Sequence, residues 1–170
     1  MIRKATVEDI PAIREIAEVA FRETYKDILS TGQMEYMMEW MYSENSLLVQ
    51  MTEKGHTFFI EEGVGYVSVR HDRISEEGKD IWHLEKLYVL PALHGHGSGR
   101  RLFEKAVDYV RSATNGPAII ELNVNRYNKA VTFYRHLGMK IDRDGDFPIG
   151  NGFYMNDHIM SLDIYPLPKQ

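Results

Sequence analysis

Three glycines alternate with other residues between a predicted strand and a predicted helix. They lie in the segment VLPALHGHGSGRRLFEKA, at Gly95, Gly97 and Gly99. Several glycines at a helix start cost backbone entropy on folding, so a chain that only needed a helix there would use one capping residue. The pattern therefore predicts a strand, an open loop and a helix in succession, with another chemical group close to the loop backbone.

The segments on either side of the glycines indicate the fold class. IWHLEKLYVL, residues 81–90, is a predicted strand that stops at a proline, and AIIELNV, residues 118–124, is a β-branched strand after the intervening helix. A strand, a crossover helix and a strand in this order imply parallel pairing with a right-handed connection. The other elements are predicted as helices at 5–25, 31–42, 43–55 and 128–138, strands at 56–62 and 63–72, and two strands in 139–164. We therefore expect an α+β fold with a mixed sheet.

Length and composition limit the class of protein. The chain has 170 residues, 44% of them hydrophobic, so we expect a single domain over residues 1–170. A formal charge of −5 argues against a nucleic-acid partner, which would require a basic face. The apolar runs are too short to span a bilayer, and the N-terminus lacks the apolar block of a secretory signal. We therefore expect a cytoplasmic protein without a membrane partner.

Metal and thiol chemistry are not indicated by the sequence. The chain contains no cysteine, and its seven histidines include no His-x-x-x-His pair or clustered ligand set. We therefore expect no metal site.

The glycine segment has the chemistry of an anion site. The amides between Gly95 and Arg100 are predicted to point outward, because the first amides of a helix have no partner inside it, and the helix dipole then favours a phosphate or pyrophosphate. Arg100 and Arg101 oppose that dipole, and an anion in front of them would explain their position. The spacing fits neither a dinucleotide-binding Gly-x-Gly-x-x-Gly nor a triphosphatase loop. The alternative is a glycine-rich turn that only joins a strand to a helix.

Two segments resemble the signature motifs of the GCN5-related N-acetyltransferases, the GNAT family, which use acetyl-coenzyme A. In that family a strand leads into Gln/Arg-x-x-Gly-x-Gly/Ala, which opens a helix and holds the cofactor pyrophosphate; here His94 stands at the Gln/Arg position, followed by Gly97 and Gly99. The second segment, LNVNRYNKAVTFYRHLGM, matches Asn-x-x-Ala-x-x-Phe-Tyr-x-x-x-Gly with the alanine one place early, at Asn128, Ala130, Phe133, Tyr134 and Gly138. The resemblance implies a GNAT-type mixed, mostly antiparallel sheet with a central splayed parallel strand pair, flanked by helices.

The resemblance also implies roles for individual residues. A splayed strand offers its backbone to the pantetheine arm of acetyl-CoA, and the matching positions are Leu87, Tyr88 and Val89. Tyr134 matches a tyrosine that protonates the departing thiolate, and its alternative is a half-buried aromatic on a short helix. The other residues expected at the cofactor are His94, Gly95, His96, Gly97, Ser98, Gly99 and Arg100 in the loop, with Asn123, Asn128 and Phe133 beyond it.

Candidates for a general base lie on the strand that ends at Val89. His83 and Glu85 are two residues apart there, so both side chains are expected on one face of the strand, together with Leu87. Either side chain is able to accept a proton from an ammonium group, directly or through water. Ordered water as the base is a third option, and a solvated pair at a strand edge is the interpretation without a catalytic role.

The chain as a whole is similar to bacterial polyamine acetyltransferases of the spermidine type, most clearly in FRETYKDIL and YMNDHIMSLDI. This resemblance implies an N-acetyltransferase acting on a small-molecule amine, with a homodimer left open. A polyamine pocket needs several carboxylates, and the candidates are Glu23, Asp27, Glu35, Glu39 and Asp157. The alternative function is a non-catalytic acyl-CoA sensor or regulatory module that keeps the glycine loop.

Overall fold

In residues 1–168, which the computed structural model describes, the backbone forms one mixed sheet of seven strands. The strands in their order across the sheet are β1 (Ile2–Lys4), β2 (Thr57–Glu61), β3 (Gly65–Ile74), β4 (Asp80–Val89), β5 (Ala118–Asn125), β7 (Phe153–Ile164) and β6 (Lys140–Gly150). The neighbours β4 and β5 are parallel, and the other five neighbouring pairs are antiparallel. Residues 169–170 of the predicted domain lie outside the described chain.

Helices cover both faces of the sheet. In the described chain they are α1 (Ile10–Tyr25), α2 (Thr31–Tyr42), α3 (Glu44–Thr52), α4 (Ser98–Ala113) and α5 (Ala130–His136). Helices α4 and α5 pack on one face, and α1, α2 and α3 pack on the other, so the sheet separates two apolar clusters. None of the helices in residues 1–168 is both long and apolar enough to cross a bilayer.

The predicted mixed sheet with a splayed parallel pair and flanking helices is confirmed. The prediction missed β1, because three residues are too few to show an alternating pattern. The first helix also begins later than predicted. Thr6 caps a short 3-10 turn at Val7–Asp9, and α1 follows with Pro11 in its first turn, where the missing amide has no partner to lose.

The parallel strands β4 and β5 separate after a short stretch of pairing. Residues 80–83 of β4 pair with residues 118–121 of β5. Beyond that point, within the described chain, residues 84–89 and 122–125 have no partner across the space between the two strands. We call this space the strand gap.

An extra residue in β4 changes which side chains share a face. Between the pairs that His83 and Lys86 make with β3, the strand β3 has one residue and β4 has two. This β-bulge leaves Glu85 beside His83 on the face of α1–α3, whereas Leu87 packs into the apolar cluster of α4. The expectation that Leu87 shares a face with His83 and Glu85 is therefore wrong, because regular alternation does not continue past an inserted residue.

Gly65 allows β3 to approach the end of β4 closely. A Cβ atom at this position would lie 2.5 Å from the carbonyl oxygen of Tyr88 and 3.1 Å from a methyl group of Leu102. The backbone oxygen belongs to a paired strand and has little freedom to move. A side chain at position 65 would therefore separate the two strands next to the gap.

We expect Gly65→Ala to lower the free energy of unfolding by about 1–3 kcal/mol, as overpacked sites do. Urea unfolding followed by circular dichroism measures this loss. Gly116→Ala is the control, because an added Cβ atom there meets nothing within 4 Å, and its effect should stay within about 0.5 kcal/mol. Equal losses in the two variants would contradict the close approach.

Candidate active site

The glycine-rich loop ends at a left-handed residue that opens α4. Gly97 has φ 80° and ψ 5° and stands immediately before Ser98, the first residue of the helix. Within residues 1–168, the six amides of 95–100 donate to no backbone carbonyl, and the first that does so is the amide of Arg101, 3.1 Å from the oxygen of Gly97. Free N–H groups at the positive end of a helix dipole form a site for an anion.

The two arginines of the loop have different surroundings. Arg101 secures the loop, since Nη1 donates to the carbonyl oxygen of His96 at 3.0 Å and Nη2 donates to Oγ of Ser98 at 2.9 Å. Arg100 lies at the surface, 3.6 Å from Glu104. The position of Arg101 therefore has a structural explanation, whereas Arg100 pairs at the surface with an exposed glutamate.

The end of β4 presents backbone groups to the strand gap. The amide of Leu90 donates to Val64 on the opposite side, at 2.8 Å. Because successive residues of a strand direct their backbone groups to opposite edges, the amides and carbonyls of Leu87 and Val89 face the gap. The Nε2 atom of His94 donates to the carbonyl oxygen of Val89 at 2.9 Å, so the loop is tied to the strand end.

Tyr134 on α5 has a buried ring and a hydroxyl that holds its proton. Burial raises the pKa of this hydroxyl well above the usual value, and the nearby Tyr25 of α1 contributes to the rise. No hydrogen bond from residues 1–168 acts on the hydroxyl. It is therefore protonated at neutral pH and unoccupied by other side chains, as a proton donor must be.

Asn128 and Phe133 have structural contacts that hold α5 in place. The Oδ1 atom of Asn128 accepts a hydrogen bond from the amide of Ala130 at 2.9 Å and so caps the start of the helix. The ring of Phe133 packs against the first turn of α4, where a Cβ atom on Gly99 would come within 3.1 Å of it. These two residues therefore fix the helix that carries Tyr134 relative to the loop.

Four side chains form a continuous polar line from β4 through β5 to β7. The Nδ1 atom of His83 lies 3.0 Å from Oε1 of Glu85, and its Nε2 atom lies 3.0 Å from Oδ1 of Asn123. The Nδ2 atom of Asn123 then donates to Oδ2 of Asp157 at 3.3 Å. We call these four residues the polar chain. The structure thus brings together both candidate bases, one expected cofactor residue and one expected carboxylate.

The order of donors and acceptors along the polar chain determines the hydrogen-bond role of the Nε2 atom of His83. Asp157 needs a donor, which turns the amide nitrogen of Asn123 toward it and the amide oxygen toward His83. The Nε2 atom of His83 must therefore donate, and Nδ1 faces the Glu85 carboxylate. Oε1 of Glu85 does not lie along the direction of an Nδ1–H bond, so the contact is an ion pair rather than an aligned hydrogen bond.

Burial and charge act in opposite directions on this ion pair. Burial opposes protonation of His83, but the Glu85 carboxylate outweighs it, and the pKa of the imidazole is raised from its ordinary 6.5. Burial likewise opposes ionisation of Glu85, but His83, Arg70 and Lys86 outweigh it and lower the pKa of the carboxyl to about 2. Glu85 is therefore ionised near neutral pH, and His83 is the member of the pair that titrates there.

Asp157 is a buried carboxylate with an unused oxygen. The residue is 4% exposed, and within the described chain its Oδ1 atom has no hydrogen-bond partner. Burial raises the pKa of the carboxyl above the usual value. An unpaired buried carboxylate oxygen has the chemistry of a cation acceptor.

The other expected carboxylates do not join the polar chain. Glu23 pairs with Lys26 on the exposed end of α1, and Asp27 follows in the turn. Glu35 pairs with Arg22, and it lines with Glu39 a cleft of about 780 Å³ between α1 and α2. This cleft shares no lining residue with the polar chain.

Sequence reasoning missed Arg70 on β3. Its Nε atom donates to Oε1 of Glu85 at 2.5 Å, and Arg70 is the register partner of His83. Finding Arg70 required the pairing register of β3 with β4 across the bulge, and the sequence of a single strand does not contain that register.

A mixed sheet with one separating parallel pair beside a glycine-rich helix start defines the fold of a GNAT-type acetyltransferase. The family model for the acetyltransferase (GNAT) family matches residues 11–139. The chain therefore belongs to the GNAT family. The glycine loop, α4, β5 and α5 all lie inside the matched range.

Individual proteins show the same relationship. An uncharacterized N-acetyltransferase of Methanocaldococcus jannaschii is 29% identical over 146 residues, covering 82% of this chain and 60% of that protein. One of Mycobacterium tuberculosis is 34% identical over 102 residues, covering 59% of this chain and 60% of that protein. The chain thus spans about 60% of the length of these curated relatives. The PaiA N-acetyltransferase of Thermoplasma acidophilum in complex with coenzyme A has the same fold, with a TM-score of 0.74 at 21% identity over 95% of this chain and 96% of that one.

We expect Glu85→Gln to lower the pKa of His83, because the charge that stabilises the imidazolium is lost while burial still opposes it. The imidazole signals of His83, assigned by their loss in His83→Gln, are followed by NMR titration. Glu104→Gln, an exposed glutamate on α4, is the control and should leave the pKa unchanged. A His83 pKa that does not respond to Glu85→Gln would contradict the ion pair.

Proposed function

We propose that this chain is an acetyl-CoA-dependent N-acetyltransferase that transfers the acetyl group to a primary amine of a small molecule by direct attack in a ternary complex. The observation that carries the proposal is the strand gap, which leaves backbone groups of β4 free next to six free amides of the loop. Family membership and the N-acetyltransferase names of the relatives support the same activity. Residues 1–170 act as one catalytic domain in this proposal.

The residues at the gap fit coenzyme A at two places. The free amides of 95–100 suit a pyrophosphate, and the gap-facing backbone groups of Leu87 and Val89 suit the amide groups of a pantetheine arm. The coenzyme A in the structure of the T. acidophilum neighbour supports this assignment. When bound, acetyl-CoA supplies an activated thioester whose acetyl group is transferred.

Proton transfer is assigned to His83 and Tyr134. His83 accepts the proton of the acceptor ammonium at its imidazole, directly or through water, and the Tyr134 hydroxyl donates a proton to the departing thiolate. Glu85 is a weak base with its pKa of about 2, and it stabilises the imidazolium instead. The base form of His83 accumulates as the pH increases through the raised pKa of its imidazole. The rate should therefore increase with pH over the same range.

We expect coenzyme A to raise the melting temperature of the wild type but not of Gly97→Val. A Cβ atom at position 97 would lie 3.1 Å from Nη1 of Arg101, the side chain that secures the loop, and the left-handed backbone is strained as well. Gly78→Val is the matched control, since Gly78 has φ 84° in the turn between β3 and β4. The left-handed conformation costs each variant about 1–2 kcal/mol. Only Gly97→Val should lose the coenzyme A effect, measured by differential scanning fluorimetry.

Two outcomes would change the assignment. A coenzyme A effect that persists in Gly97→Val contradicts the pyrophosphate site. Coenzyme A binding without turnover of any amine in a panel contradicts the enzymatic proposal and favours the non-catalytic acyl-CoA sensor.

Tyr134→Phe should lower kcat by about 10²- to 10³-fold and change the Kd for coenzyme A by less than about twofold, because only the proton donor is removed. Steady-state kinetics and calorimetry measure the two constants. Tyr109→Phe removes a hydroxyl from the same apolar cluster, where it bonds to Thr57, and serves as the control. Parallel losses of kcat and affinity in Tyr134→Phe would indicate a structural tyrosine.

A polyamine is the proposed acceptor class. The support is Asp157, whose unpaired buried oxygen suits the ammonium group that does not react, at the end of the polar chain remote from Glu85. A charged hydrogen bond of this kind contributes about 1.5–3 kcal/mol. The resemblance of FRETYKDIL and YMNDHIMSLDI to spermidine-type enzymes points to the same class.

Spermidine should therefore exceed a monoamine of similar length in kcat/KM by about tenfold or more, since 1.4 kcal/mol corresponds to tenfold. Asp157→Asn should reduce this ratio toward one. Glu39→Gln, a control in the cleft between α1 and α2, should leave the ratio unchanged. Both are measured with saturating acetyl-CoA. A monoamine that is used equally well by the wild type contradicts the polyamine assignment and leaves acetyl transfer intact.

A further inference from the structure

Arg70 binds the carboxylate of Glu85 from the neighbouring strand. Its Nε atom donates to Oε1 of Glu85 at 2.5 Å, and its Nη1 atom donates to Oδ1 of Asp72 at 2.9 Å. The side chains of Arg70 and Glu85 are 30% and 20% exposed, so water screens this pair only in part. The planar guanidinium thus spans two carboxylates and has a fixed orientation.

Arg70 and His83 share one oxygen of Glu85. Oε1 accepts from Arg70 and lies 3.0 Å from Nδ1 of His83. Two positive groups at the same oxygen repel each other, so the charge of Arg70 opposes protonation of His83. The pairing of β3 with β4 holds Arg70 opposite His83, so the position of the second positive charge is set by the strand register.

We propose that Arg70 is a positioning residue that holds a second positive charge at the shared oxygen of Glu85 and thereby tunes the group that accepts the proton from the acceptor amine. This inference rests on the proposed function for the role of His83. The contact between Arg70 and Glu85 itself does not depend on that function.

Other charged groups act on the same pair and do not replace Arg70. Asp72 comes from β3, Lys86 from β4 and His56 from the segment before β2, and beyond them the neutral Asn123 of β5 links His83 to Asp157 of β7. Lys86 donates to Gln50 on α3 at 2.7 Å and is directed away from the shared oxygen. The positive charge of Arg70 lowers the pKa of His83, in opposition to Glu85.

Arg70→Gln tests the inference through the titration of His83. Loss of the competing charge should raise the pKa of His83 in NMR titration, the opposite direction from Glu85→Gln. The ascending limb of kcat/KM should move to higher pH, so that kcat/KM below the limb falls by about threefold or more while the plateau at high pH is retained. Arg73→Gln is the matched control, because Arg73 also binds Asp72 but not Glu85.

Arg70→Lys keeps the test decisive if Arg70→Gln folds poorly. Lysine retains the charge but does not reach Glu85 and Asp72 with one planar group, so the pKa of His83 should lie between those of the wild type and Arg70→Gln. A His83 pKa that stays constant or falls in Arg70→Gln overturns the inference, as does an equal rise in Arg73→Gln. A raised pKa with an unmoved kinetic limb supports the contact and contradicts the role of His83 as the base.

Discussion

The early separation of β4 from β5 is the constraint on which the candidate site depends. Backbone N–H and C=O groups inside a protein need partners, and two strands that separate within a sheet leave such groups free on both sides. The strands do not collapse onto each other, because β3 holds β4 and β7 holds β5 along their length. After β4, a short 3-10 turn at Pro91–Leu93 leads into the glycine loop, whose amides are unpaired as well.

The charged groups on the sheet face that packs against α1–α3 stabilise one another, because positive and negative groups lie side by side. Arg70 lies between Asp72 and Glu85, and His83 lies between Glu85 and Asn123, so each buried charge has a partner of opposite sign or a hydrogen bond. Without those partners, burial of any one of these groups would be costly. The protonation state of His83 is consequently a property of three strands rather than of one residue.

Local features of the sequence predicted six of the seven strands and the glycine loop, because strand, loop and helix signals lie within short segments. The bulge at Glu85 was not predictable, since it is defined by the pairing of β4 with β3, and it reversed the face of Leu87. The expectation for Glu35 and Glu39 ignored the helical phase of α2, whose buried methionines turn both carboxylates outward. Asp157 reached the site through the pairing of β5 with β7, which joins distant segments.

The hydrogen bond from His94 to Val89 leaves a donor rather than an acceptor at the Val89 end of the strand gap. With the carbonyl oxygen of Val89 occupied, its amide is the backbone group left free there, and the loop amides that follow are donors as well. Free donors of this kind suit carbonyl and phosphate oxygens, which accept hydrogen bonds, whereas an N–H group of a ligand meets no free acceptor at Val89.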